Sequence, residues 1–585
     1  MLIETYRKDW RYRFLESFIG LSVATFLVIL LILVFVSPSI LAVFLIIYSF
    51  LMILRMALHL IYAITSFKKL SRWSKPNWIN LFQFYNSKPK LEQINNELSL
   101  LTSKHPKNEN WQNEIRQFTK LAKLNTKTKF ENPNNILHFP LFSIYDENYE
   151  IVLRGLKSIF DSQYDLSKIC VVVSQEARLG YLKNYELQEQ LQQIDWLNTV
   201  VFAEDNMDTV YDTDHANLEF SNNELTNFAH SFSRTKLNVI ITQHPDGLIG
   251  EIKGKSSNED WAARTVSLFA KSAGFDPELC IITSFDADSR VGKNFFQILS
   301  FQYCNCENRF VTGFQPMPVF SNNLFDVDLL PFLVGINTTF WTMVQYSLLD
   351  GMHFFANYSV PLVLAQRVDF WQRDIIAEDA LFFSKCLIKT NGEFQVVPSY
   401  NHFNSDNIES ENFWQTIVNQ YNQLRRWAWG GIESFPYKFY NFFVLPKCKV
   451  DIRHRISLVF NDWYSHFCWS TLPVVFSLII FLPALVNLDF AKSTIAVNFY
   501  ELLFYFSLIS YISLGVVIAI LFYFIYPQAV LTNPDIKISW QHKLNILIPV
   551  LISPLIMFVW GPPAIDAQIR GVLGKYMGYW VTPKK

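Results

Sequence analysis

From Phe18 to Val36 the chain carries no charged residue, a run long enough to cross roughly 30 Å of hydrocarbon as a helix at about 1.5 Å per residue. A break at Ser37-Pro38-Ser39 leads straight into a second apolar run, Ile40 to about Thr65. Arg7, Lys8, Arg11 and Arg13 precede the pair, and Lys68, Lys69, Arg72 and Lys75 follow it. Basic residues at both outer ends predict a tight hairpin with both ends in the cytoplasm. The first run is too long for a cleaved signal peptide, and a second follows at once. Whatever else the chain folds into must therefore be built around a membrane anchor.

The composition agrees: of 585 residues, 50% are hydrophobic, 17% are charged and 53 are Phe. A net charge of −1 leaves no excess of Lys and Arg to neutralise nucleic-acid phosphates. The seven Cys, at 170, 280, 304, 306, 386, 448 and 468, form no paired CxxC elements and read as reduced thiols, with Cys304 and Cys306 a structural pair. The sequons at Asn337 and Asn357 matter only in a lumenal region, and this one is expected to be cytosolic. Arg55 and His59, one helical turn apart, are read as snorkelling to the interface.

Residues 66 to about 135 are polar, with scattered aromatics such as Trp73, Trp78 and Phe84, and read as an interfacial linker. Beyond residue 436 the chain returns to the bilayer, with candidate spans at 465–487, 499–526 and 544–562. Three spans would put the tail outside, whereas Arg570, Lys575, Lys584 and Lys585 argue for inside. Pro549, Pro554, Pro562 and Pro563 suggest a broken or re-entrant last segment.

The intervening stretch, 136–435, reads as a soluble α/β domain. HFPLFSI opens it as a strand, and a helix follows with Ile151, Leu153, Leu156 and Ile159 spaced for one buried face. KICVVVSQEAR is a second strand. Strand, helix, strand predicts a parallel sheet with ligands at the carboxyl ends, which directs attention to Asp146, Glu147, Gln175 and Glu176. In LIGEIKGKSSNEDWAAR, glycines let backbone approach a ligand and Lys255 could meet a phosphate, although ordinary surface turns share the pattern. The run Ile281-Ile282-Thr283 is a buried strand opening into Asp286-Ala287-Asp288. Two carboxylates at such a strand end suit a hard cation, though solvated turns share the pattern. Glu378-Asp379 heads an apolar helix face at Leu381, Phe382 and Leu387, where Asp379 serves either the helix dipole or a general base. Further on, Gln423, Arg426 and Trp427, if helical, present an amide, a guanidinium and an indole suited to a diphosphate and a sugar ring, although a membrane-interface aromatic belt would also use Trp427 and Trp429.

Asp286-Ala287-Asp288, Glu378-Asp379 and Gln423-Leu424-Arg425-Arg426-Trp427, in that order, resemble the DxD, ED and QxxRW motifs of membrane-embedded family 2 glycosyltransferases of the cellulose synthase and hyaluronan synthase type. The resemblance implies an α/β GT-A-type, Rossmann-like cytosolic domain flanked by N- and C-terminal transmembrane helices. It further implies that Asp286 and Asp288 hold Mg2+ or Mn2+ against the diphosphate of a UDP- or GDP-sugar. Asp379 would act as the base for an inverting transfer, supported by Glu378. Lys255, Gln423, Arg426 and Trp427 would line the donor site. The acceptor would be a lipid or a glycan, and the location the inner or plasma membrane. The family's aspartate pair after the second strand is replaced by Ser174-Gln175-Glu176, so Tyr145, Glu147 and Glu176, with Gln175 a substitute, are the expected nucleotide contacts. A non-catalytic sugar-nucleotide-binding membrane protein of the same fold is the alternative. A transporter is disfavoured by the nearly uncharged C-terminal spans.

Overall fold

The structure is a computed structural model that describes residues 3–74, 132–201, 223–348, 352–446, 448–509 and 559–578. The two apolar runs are long helices, α1 (Trp10–Val36) and α2 (Pro38–Trp73), separated at Ser37 with Pro38 in the first turn of α2. Ile29, Ile32, Phe35, Ile47, Phe50 and Leu54 stand exposed along them, as side chains that face lipid do. α2 runs past the predicted end of the hairpin to Trp73, whose ring packs on Phe301 and Tyr400. Trp78, Phe84 and the rest of the predicted linker to residue 131 lie outside the described residues.

The strands β1 (Leu137–Ile144), β2 (Cys170–Glu176), β3 (Leu197–Val201), β4 (Leu237–His244), β5 (Cys280–Asp286), β6 (Arg290–Val291), β7 (Thr312–Phe320), β8 (Ser359–Pro361) and β9 (Gln395–Ser405) form one mixed sheet ordered β3-β4-β2-β1-β5-β8-β7-β9-β6. β3, β4, β2, β1 and β5 run parallel, and β8 turns the direction antiparallel to β5. Successive side chains of β1, β2 and β5 alternate between two apolar clusters. Phe139, Leu141, Val172 and Ile282 face one, while Phe142, Ile144, Val173 and Ile281 face the other. Burial on both faces is why these strands read as continuous apolar runs rather than as an alternation.

Between the strands, α3 (Tyr149–Phe160) covers one face and α4 (Lys255–Ser272) lies against β1 and β2 on the other. The buried side of α3 is Ile151, Val152, Leu156 and Ile159. Leu153, expected there, is half-buried, because Gly155 and Val152 take the tight contact against the sheet. The chain continues through α5 (Glu378–Lys389), which buries Leu381, Phe382 and Leu387 as expected, and then the long α6 (Phe413–Phe439) and α7 (Ile452–Ser477).

Among the described residues three helices are long and apolar enough to cross a membrane: Trp10–Val36, Pro38–Ser71 and Ile452–Val486. The third begins earlier than the predicted 465. Most of the spans expected at 499–526 and 544–562 lies outside the described residues. The predicted last span extends as a helix over 559–573, where Ala564 and Ala567 are buried and Asp566 is ion-paired to Arg425, so its end packs as an amphipathic helix on α6. Arg55 and His59 are half-buried. Arg55 donates to His59 at 3.3 Å and sits over the Tyr464 ring, so it packs against α7 rather than snorkelling freely.

Candidate active site

Register fixes what meets at the carboxyl edge of the sheet. Ser143 of β1 stands opposite Asp286, Ile144 opposite Gln175, and Glu176 opposite His244. The ends of β5, β1, β2 and β4 thus form one row, above which α4 begins with Lys255 in its first turn.

Lys255 is the centre of that row. Its ammonium lies 2.9 Å from Asp286 Oδ1, 2.9 Å from Glu378 Oε1 and 3.4 Å from Glu259 Oε1, one turn further along α4. Asp286 is the outermost acid, with about a third of its side chain exposed, whereas Glu259 is fully buried and also accepts from the Ser284 hydroxyl. Glu378 and Asp379 open α5. Asp379 accepts from Ala380 N at 2.7 Å and, through its other oxygen, from Ala356 N at 3.0 Å. Ala356 has φ 51°, a left-handed conformation costly for a residue with a Cβ. Its neighbour Asn357 accepts from Asp286 N at 2.9 Å and donates to Ser289. Residues 356 and 357 therefore hold the general-base candidate and the DxD strand end in one frame.

Carboxylates outnumber ammonium charge here, and the pKa values respond. Burial, then the adjacent Glu378 carboxylate, push Asp379 up to about 7, against the opposing pull of the Ala380 N–H, Lys255 and the Ala356 N–H. Burial likewise lifts Glu259 well above the usual carboxylate range, against the pull of Lys255. A carboxyl poised near neutrality suits a base that must take a proton at ordinary pH. Asp288 lies deeper, buried, with Oδ2 accepting from Asp406 N at 2.8 Å.

A second corner forms at β2 and β4. The Arg178 guanidinium lies 4.0 Å over the Tyr145 ring and is ion-paired with Glu176, and Tyr145 N donates to Glu147 at 2.6 Å. The three expected nucleotide residues thus meet through Arg178. Beside them is a small cavity of about 50 Å³ lined by Glu176, Arg178, His244, Glu251 and Ser257, with His244 bonded to Glu251 at 2.9 Å. Its loop turns at Gly247 and Gly250, both at φ near 80°, where a Cβ would be strained. Gln175 does not serve as expected. It is buried, donating to Asn184 O at 3.1 Å and accepting from Gln188 at 3.0 Å, so its amide anchors the helix Tyr181–Gln192.

The third motif is on α6. Gln423 is buried and accepts from Gln420 at 2.9 Å, Arg426 is half-buried, and Trp427 faces Trp560 at 6.3 Å between ring centroids. One turn later, Gly430 brings α6 against Ala377, the residue before Glu378; a Cβ at Gly430 would lie 3.5 Å from that of Ala377. At about 1.5 Å per residue, Trp427 lies roughly 5 Å along the axis from that contact.

Reasoning from sequence missed Glu259, Ala356 and Asn357. Glu259 follows Lys255 by four residues, a spacing that signals a helical ion pair. Asn357 is hidden in what reads as a sequon; it is fully buried and hydrogen-bonded, which leaves no room for a glycan. Cys304 is buried and Cys306 half-buried, with the Cys306 thiol donating to Thr312 Oγ1 at 3.4 Å.

Residues 281–560 match the family described as Glycosyl transferase family group 2, a stretch that holds Asp286, Asp288, Glu378, Asp379 and Gln423 to Trp427 and begins after Lys255. No curated protein shows significant similarity to the chain. Similar solved structures include the mannosyltransferase PcManGT from Pyrobaculum calidifontis in complex with GDP-Man and Mn2+, at TM-score 0.37 and 11% identity over 79% of this chain and 99% of that one. Another is S. aureus TarS 1–349 in complex with UDP-GlcNAc, at TM-score 0.31 and 11% identity over 75% of this chain and 93% of that one.

Proposed function

We propose that this chain, a glycosyltransferase by the match over residues 281–560, is a membrane enzyme that moves a sugar from a UDP- or GDP-sugar to a lipid or glycan acceptor at the cytoplasmic face, with inversion. What supports this reading is the Lys255 ammonium, which ties Asp286 at the end of β5 to Glu378 beside Asp379 across more than a hundred residues of sequence.

Asp379 takes the proton of the acceptor hydroxyl as that oxygen forms a bond to the anomeric carbon. The bond from that carbon to the donor diphosphate breaks, and the nucleoside diphosphate departs with the electron pair. A sugar hydroxyl is a weak nucleophile at neutral pH, so a positioned carboxylate contributes typically 10²–10⁴-fold. Lys255, with Arg426 from α6, meets the negative charge of the leaving diphosphate. Tyr145, Glu147, Glu176 and Arg178 hold the nucleotide end, and Gln423 and Trp427 the sugar side.

The donor chemistry of the row fits a hard divalent cation such as Mg2+ or Mn2+: oxygen ligands, an excess of negative charge and an accessible Asp286 carboxylate. Asp286, with Asp288 behind it, would hold the ion. When bound, the ion neutralises diphosphate charge. Among the described residues no three Asp, Glu, His or Cys side chains form a metal cage, so the ion would need further oxygen ligands from the donor or solvent.

The test is a screen of radiolabelled UDP- and GDP-sugars with membranes containing the protein, following label into lipid or polymer. Transfer from one donor is expected. Donor binding with no transfer or hydrolysis across the panel would favour the non-catalytic alternative.

A further inference from the structure

The turn that delivers Glu378 and Asp379 has an unusual fastening. Ala377 occupies the N-cap position of α5 and has no side chain able to cap it. The acceptor for this turn comes from α6. Ile376 N donates to both oxygens of Glu433, at 3.1 and 3.0 Å, and Ala377 N donates to Oε2 at 2.8 Å. Trp429 Nε1 completes the set at 3.1 Å. Glu433 is 1% exposed, and a carboxylate so deeply buried is costly unless N–H donors surround it. The residues leading into the turn are fastened from other directions: Gln372 O by Ser256, Arg373 O by Ile252 N at 2.9 Å, and Asp374 by Glu4 N at 3.0 Å.

Resting on the function proposed above, we infer that Glu433 is a positioning residue for the transfer: its carboxylate fixes the 376–377 turn, and so the place from which Asp379 meets the acceptor. Glu433 holds the backbone of 376–377 directly, and reaches Lys255 through Glu378. It lies on the same helix as Gln423 and Trp427, which makes the base and the sugar-side motif one rigid unit.

The experiment uses the full-length protein in nanodiscs, with E433Q, E433D, D379N and the double variant E433Q/D379N. In E433Q one carboxylate oxygen becomes an NH2 that cannot accept from a backbone N–H. Amide hydrogen exchange should rise selectively at residues 376–377, while exchange in β5 and α4 stays as in wild type. Release of nucleoside diphosphate from UDP-glucose, UDP-GlcNAc or GDP-mannose should fall in kcat by roughly 10²-fold, the scale of a 1 Å misplacement, with donor KM within about threefold. Because Glu433 acts through Asp379, E433Q should cost almost nothing further in the D379N background. Unchanged exchange at 376–377, turnover within threefold of wild type, or full additivity with D379N would each overturn the proposal. If E433Q does not fold, E433D, shorter by one methylene, carries the same comparison: selective exchange with lost turnover supports the clamp, and full activity overturns it. Wild-type turnover in D379N would instead refute the proposed base, leaving the exchange result to judge the clamp alone.

Discussion

Replacing Lys255 by Met keeps much of the stem and removes the charge around which the row is built. The ammonium is 2.9 Å from Asp286 and Glu378 and 3.4 Å from Glu259. At an effective dielectric constant of about 20, each contact has a gross attraction of roughly 5 kcal/mol. The net loss is smaller, because the orphaned carboxylates relax by binding a proton. Protonating a carboxyl of ordinary acidity at pH 7 costs about 4 kcal/mol, which agrees with the 3–5 kcal/mol found when one partner of a buried ion pair is removed. Asp286, partly exposed, contributes least, and Glu259 is already lifted toward its neutral form by burial, so Glu378 dominates. At about 1–2 °C per kcal/mol for a domain of this size, the thermal midpoint of K255M should fall by roughly 6 °C at pH 7. The sign of the pH dependence follows from the proton: K255M tolerates acid better than neutrality, so its deficit shrinks by about 1.4 kcal/mol per unit as pH drops toward 5.5. Paired thermal scans of wild type and K255M in detergent at pH 7 and 5.5 measure this. A deficit below about 1 kcal/mol at pH 7, or one independent of pH, would refute the claim that Lys255 neutralises the row.

Three further outcomes follow from the geometry. Gly431→Ala places a Cβ 2.5 Å from the His466 ring where α6 crosses α7, and should destabilise the protein by about 1–3 kcal/mol, seen as a lowered thermal midpoint. Asn357→Ala removes the acceptor for Asp286 N and the donor to Ser289, and should cost about 1–3 kcal/mol and lower turnover more than Asn357→Asp, which keeps the acceptor. Chelation with EDTA should abolish transfer, and added Mn2+ or Mg2+ should restore it; transfer at full rate in EDTA would remove the metal from the proposed reaction.

The sequence showed those parts of the fold whose cause is local. Ile281-Ile282-Thr283 is buried on both faces of a sheet and so reads as a strand, and the Phe18–Val36 part of α1 carries no charge, as a segment with apolar surroundings requires. The boundary of α2 was misjudged because its last turns leave the apolar run and dock on Phe301 and Tyr400, contacts far away in sequence. Lys255 was visible as a cation near a glycine turn, yet its partners were not, since Glu378 reaches it only after the chain has crossed the sheet several times. Gln175 looked like a ligand group because polar residues at strand ends usually face solvent or substrate; here the helix after β2 turns back and takes its amide. Asn357 and Glu433 carry no local signal at all, since each acts on backbone N–H groups brought to it by the fold.

The most direct test of the account is the pH dependence of nucleoside diphosphate release by wild type and D379N. With Asp379 lifted to about 7, the base form predominates above that pH. Wild-type turnover should rise about tenfold between pH 6 and pH 8, and D379N should lose 10²–10⁴-fold together with that rise. Turnover in D379N within threefold of wild type, or the same rise persisting without the Asp379 carboxylate, would contradict it.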